Sequence, residues 1–122
     1  MAHTISPEQV DRIAQVAHAA IRAHQIAHGQ KPHPEWIDAE EWMRESSRDA
    51  VRAALEDPTP GAQHTRWMEE RKAQGWSWGP ERDDEKKHNP NMIDYDELSL
   101  FEKQKDMIII ALAQALAGGD EE

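Results

Sequence analysis

The chain has 122 residues, the size of one ordinary domain, and with only 38% hydrophobic and 31% charged residues its core must be compact. The formal net charge of −10 disfavours DNA or RNA as a partner, because an acidic surface repels polyphosphate. The chain has no cysteine, which excludes a disulfide framework, a thiolate metal site and a cysteine nucleophile, and fits a reducing, cytoplasmic setting.

No apolar run approaches the roughly 18 residues of a membrane span, and Met1–Gln9 lacks the basic start and apolar stretch of a leader. Ser6, Pro7 and Gln9 read as a helix start, with Ser6 as cap, Pro7 in the first helical position and Gln9 completing a capping box. Val10, Ile13, Ala14, Ala17 and Ile21 then keep helical spacing as far as Gly29. Pro32 and Pro34 mark a connector. Asp38 and Glu41 suggest a second capping box, followed by a helix to about Leu55 that should bury Trp42, Val51 and Ala54. Asp57-Pro58-Thr59-Pro60-Gly61 is a break. A third helix, about 62–74, ends at Gly75.

The stretch 76–97 has no sustained period, yet it carries Trp76, Trp78, Met92, Ile93 and Tyr95. Side chains of that size need burial, so an ordered irregular segment is expected. Ser99 and Glu102 suggest a third box, opening a last helix to Ala117. Its Met107-Ile108-Ile109-Ile110 run should make Met107–Leu116 the most buried segment, so that Ile109→Asp would unfold the chain. No strand pattern or repeat is present. The reading is all-α: one domain over 1–117, a compact bundle of about four helices, with residues 118–122 as a disordered acidic tail. The low apolar content leaves room for a homodimer.

The chemistry concentrates in one window. His64, Trp67 and Arg71 lie three and four residues apart and share one face of the third helix. The Gly75 turn then brings Trp76, Trp78 and Arg82 close behind. Aromatic walls beside guanidinium groups suit a planar anionic molecule, with rings stacking on a base and arginines taking phosphate or carboxylate. The bland alternatives are core packing for the tryptophans and a surface ion pair between Arg82 and Asp83 or Asp84. His24 and His28 stand four apart on the first helix, but without a Glu or third ligand they are no metal site. Asp83 and Asp84 lack the separated pairing of acid–base catalysis, and no nucleophile or phosphate loop of the Walker type is present.

Further along, the ordered set His64-x-x-Trp67, Gly75-Trp76-x-Trp78-Gly79-Pro80-x-Arg82-Asp83-Asp84, Lys87, Pro90, Tyr95, Leu98 and Glu102-Lys103-x-Lys105-Asp106 resembles the RyR domain, the repeat named for the ryanodine receptor. Trp36, Trp42, Ser46 and Val51 resemble the first half of its stand-alone microbial form. Two positions depart from the pattern: Trp78 stands where a Tyr is usual, and Asn89-Pro90 replaces a His-Pro pair, with His88 one place earlier. The resemblance implies an all-helical binding module associated with adenine nucleotides. In stand-alone bacterial or phage forms it implies a receptor or sequestering protein for nucleotide-derived signals in phage–host conflict.

Together these readings give a non-catalytic module for a small, anionic, aromatic, nucleotide-like ligand. Its expected contacts are His64, Trp67, Arg71, Trp76, Trp78, Arg82, Asn89 and Tyr95, with no metal, cofactor, nucleic acid or membrane. Two alternatives stay open: a protein-interaction module using the same tryptophans, and a cryptic nucleotide phosphodiesterase or glycohydrolase.

Overall fold

The computed structural model describes residues 5–118. Four helices follow in order: α1 (Pro7–Ala27), α2 (Glu41–Glu56), α3 (Ala62–Ala73) and α4 (Leu100–Gly118). Single 3₁₀ turns at Trp36–Asp38 and Tyr95–Glu97 precede α2 and α4. Among the described residues there is no strand, and no helix is long and apolar enough to cross a membrane. The fold is an all-helical bundle. The residues assigned to an acidic tail lie, beyond Gly118, outside the described residues.

Local signals set most boundaries. Ser6 Oγ accepts the Gln9 N–H at 3.1 Å and Gln9 Oε1 accepts the Ser6 N–H at 2.9 Å, closing the capping box at the head of α1. At its end the Gln30 N–H reaches back to the Gln25 carbonyl across Gly29, whose φ of 69° suits a glycine. The box expected from Asp38 and Glu41 does not form. Asp38 is taken up in the 3₁₀ turn, where its N–H bonds the Glu35 carbonyl, so α2 starts at Glu41 with no side-chain cap. Ser99 Oγ accepts the Glu102 N–H at 3.3 Å, while the Glu102 carboxylate turns to Lys105 at 2.9 Å.

The core lies among α1, α2 and α4. Val10, Ile13, Ala14, Val51, Ala54, Ala113 and Ala117 form it, with Ile109, Ile110, Leu55 and Trp36 packed around it. Alanines at so many contacts let the helix axes approach closely. The expectation that Met107–Leu116 would be the most buried segment is overturned. Only Ala113 of that run is fully enclosed, and Met107 is 53% exposed. One helix can turn only one stripe to a three-helix core, and α4 has more apolar residues than that stripe holds. Trp42, expected inside, is also outside, its Nε1–H bonded to Glu40 Oε2 at 2.7 Å.

Helix α3 differs from the others. It has no buried residue, and its main helix contact is with α2. Its place is held by the irregular segment that follows it.

Candidate functional site

The end of α3 builds the first half of the site. The Trp76 N–H donates to the Arg71 carbonyl at 2.9 Å and the Gly75 N–H to Lys72 at 3.0 Å, with Gly75 at φ 92°. This reversal places the residue two beyond the C-cap Gln74 over a residue of the last helical turn. Trp76 therefore comes back over Arg71. Helical spacing puts Trp67 on the same face, and the Arg71 guanidinium carbon lies 5.9 Å from both indole centroids. The His64 ring stacks on Trp67 at 5.5 Å and approaches the Tyr95 ring at 6.3 Å.

The long segment supplies the support. Ser77 accepts from Asn89 and donates to Lys87, while Asp83 and His88 exchange two backbone hydrogen bonds of 3.0 Å. Asp83 Oδ1 also caps the turn by accepting the Glu85 and Lys86 N–H groups. Gly79 is buried against the His88 side chain, and a Cβ there would come within 2.5 Å of the His88 Cβ and 2.6 Å of its ring. Lys87 Nζ ties the hairpin to α3 through the Gln74 carbonyl at 2.7 Å. Further on, Met92 is buried and His64 Nε2–H donates to the Ile93 carbonyl at 2.6 Å. The segment is irregular, and of its large side chains Met92 is buried while Trp76, Ile93 and Tyr95 are half-buried.

Beneath Tyr95 lies a contact that sequence reasoning did not assign. Asp106, buried on α4, accepts the Gly61 N–H at 3.1 Å, and the Tyr95 ring lies 3.0 Å from where a Gly61 Cβ would stand. Burial raises the Asp106 carboxyl above the ordinary carboxylate range, while the Gly61 N–H and His64 pull the other way. Burial also raises the Tyr95 phenol, helped by Asp106 and Asp96. The signal in the sequence was an acid at the head of an otherwise apolar run.

Of the eight expected contact residues, the structure brings five together: His64, Trp67, Arg71, Trp76 and Tyr95. Arg82 pairs with Asp84 at 3.1 Å, and its charge is felt at His33 in the α1–α2 connector. Trp78 is 56% exposed, although its size led us to expect burial. Asn89 Oδ1 is spent on the Asn91 N–H at 2.8 Å, so this side chain builds a turn. His24 and His28 pack on Phe101, with His24 Nε2–H bonded to the Phe101 carbonyl.

Arg71 stands apart electrostatically. Arg22, Arg44, Arg48, Arg52, Arg66 and Arg82 each contact a carboxylate. Among the described residues Arg71 contacts none, its polar partner being Gln74 Oε1 at 3.2 Å. Two clefts open elsewhere. One of about 250 Å³ lies between α2 and α3, beside Glu56, Asp57 and Arg66. The other, of about 420 Å³, lies beside the start of α1, with Glu8, Asp11, Arg12, Arg48 and Arg52. Volume favours the clefts, but both are lined by carboxylates, and Arg48, Arg52 and Arg66 are already paired. The shelf of Trp67, Arg71 and Trp76 has aromatic faces and an uncompensated cation, which are the groups that recognise a planar anion.

Fold and site thus define a small helical domain carrying an aromatic–cationic shelf on a buttressed loop. The family model described as the RyR domain matches residues 33–112, more than half of the chain, and the chain belongs to that family. The match takes in the connector, α2, α3, the loop and most of α4, and leaves α1 outside. No curated protein and no solved structure matches the chain.

Proposed function

We propose that this chain is a binding module without catalysis, taking a small anionic aromatic molecule of nucleotide type on the shelf of Trp67, Arg71 and Trp76. One observation carries the reading: an arginine flanked by two indoles and left without a carboxylate, in a chain where acids outnumber bases by 24 to 14. Arg71 takes the phosphate or carboxylate and the open side of Trp76 takes the base. Trp67, already flanked by His64 and Arg71, holds the guanidinium in place. The same chemistry suits a nucleotide-derived signal in a bacterial or phage setting, with the domain as its receptor or sink.

The test begins with thermal shift against adenine mononucleotides, dinucleotides and cyclic nucleotides, since any ligand of the folded state raises its melting temperature. Calorimetry on Arg71→Ala follows. Loss of one charge-assisted contact should cost about 1.5–3 kcal/mol, or roughly tenfold to over a hundredfold in affinity. A folded Arg71→Ala protein binding as tightly as the parent would place the ligand elsewhere. The exposure of Trp78 favours a second reading, in which the loop docks a peptide. That reading gains if the nucleotide panel produces no shift and Trp78→Ala abolishes capture of a partner.

A further inference from the structure

Helices α1 and α4 each carry an apolar stripe that their own core does not use. On α1, Val16, Ala19, Ala23 and Ile26 recur at intervals of three and four and are all exposed, Val16 by 45% and Ile26 by 57%. On α4, Leu100, Met107, Ala111 and Ala115 follow at helical spacing, with the polar Gln104 between the first two. Leu100 is 68% exposed. The two helices pack side by side and antiparallel, the end of α1 meeting the start of α4 where His24 bonds the Phe101 carbonyl at 3.0 Å. With α2 packed into the opposite side of this pair, the outward stripes form one continuous face.

Along Val16–Ile26 of α1 and from Met107 onward in α4 that face carries no charge, and Arg12, one turn before Val16, marks its edge. Between Ile13 and Gln30 the charged residue is Arg22, which is turned away to the His33 carbonyl and Glu35. From Met107 to Gly119 there is none. Over the whole chain nearly a third of the residues are charged. A monomer has no reason to leave such a stretch bare.

We infer that this face is the contact of a symmetric homodimer in which α1 and α4 of one copy pack on α1 and α4 of a second. Charge selects this occupant. A partner with a charged surface would set those charges against apolar side chains with nothing to pair them. A second copy brings the same uncharged face, and a molecule of net charge −10 can meet its twin closely only where charge is missing. The stripes are also self-complementary. Val16, Ile26 and Met107 are knobs, and Ala19, Ala23, Ala111 and Ala115 leave the holes that a two-fold axis sets opposite them. Area is sufficient. Two adjacent helices about 30 Å long, with axes 8–10 Å apart, present roughly 600 Å², of the order of the ~800 Å² per partner removed in a stable complex.

Sedimentation velocity on the full chain, from low-micromolar to submillimolar concentration, tests the inference. Expected is a species of twice the 14.0 kDa chain mass, with a melting temperature that rises with concentration. Ala23→Glu and Ala115→Glu sit at exposed helical positions that accept glutamate, so each should keep its helical circular dichroism and sediment as a monomer. Ile37→Glu, an exposed apolar position off this face, should remain dimeric. A parent chain that stays monomeric throughout the range would overturn the proposal. So would a dimer that survives both glutamates, or one that Ile37→Glu dissociates.

Discussion

The α1–α2–α4 trio and the α3–loop segment are built on different principles although they share one small chain. In the trio, stability comes from aliphatic burial: Val51, Ala14, Ala54 and Ala113 have essentially no exposed surface. In the α3–loop segment, no residue of the helix is buried, and order comes from single polar contacts such as His64 to Ile93, Lys87 to Gln74 and Asp106 to Gly61. The first arrangement resists local opening. The second is expected to open without unfolding the rest, and segments that bind ligands are commonly drawn from that class. The shelf thus stands on the part of the molecule held by few buried apolar contacts.

The largest effect is expected in the trio. Val51→Asp puts an unpaired carboxylate at a fully enclosed position, and its cost of about 4 kcal/mol or more takes most of the stability of a domain this size. Chemical denaturation should show a chain mostly unfolded in buffer. Ile109→Asp, at a partly buried position beside the core, should lower the melting temperature while leaving a folded protein. If the two variants behave alike, the division between core and flank drawn here is wrong.

A smaller and local effect is expected in the loop. Gly79→Ala forces a methyl into the space of the His88 ring, an overpacking of roughly 1–3 kcal/mol. Because Asp83, His88 and Ser77 pair around that contact, the loss should appear as faster amide hydrogen exchange over 76–89, with slow exchange kept in α1 and α4. Uniform acceleration throughout the chain would mean that the two regions unfold as one unit.

How much of this was legible in the sequence follows the same division. Helix ends were readable because their determinants are local: Ser6 with Gln9, Gly29, and Gly75 with the residues on either side. The Trp76–Arg71 contact was readable too, since a glycine after a helix folds the next side chain back over the last turn. Burial was not. Trp42 and Met107 are as apolar as core residues, but which face of a helix meets its neighbours is decided by packing, and both face outward. Asp38 looked like a cap until the turn at Trp36 claimed it. Arg82, which belongs to the family pattern, and Asn89, which stands where that pattern has a histidine, are spent on Asp84 and on a turn. The Asp106–Gly61 bond joins residues 45 apart in sequence. The acid at the head of an apolar run marks Asp106, but no local pattern points to Gly61 as its partner.

That bond gives the smallest expected effect and ties the two regions together, since Asp106 belongs to α4 and Gly61 opens α3. Burial raises the Asp106 carboxyl above the ordinary carboxylate range, so the folded state holds this proton more tightly than the unfolded chain does. Its contribution to stability is therefore fully present below the ordinary carboxylate range and is lost as pH rises through the folded value. Near neutrality the ionised group is a burden on the fold. Asp106→Asn keeps an oxygen to accept the Gly61 N–H and removes the charge. The variant should melt slightly higher than the parent near neutrality, and the difference should close as both are acidified below the carboxylate range. Melting curves of the two proteins across that range decide the matter. A variant that melts lower near neutrality, with the deficit growing as pH rises, would mean that the charge-assisted bond from Gly61 and the neighbouring His64 outweigh burial. Asp106 would then be a charged anchor for α3.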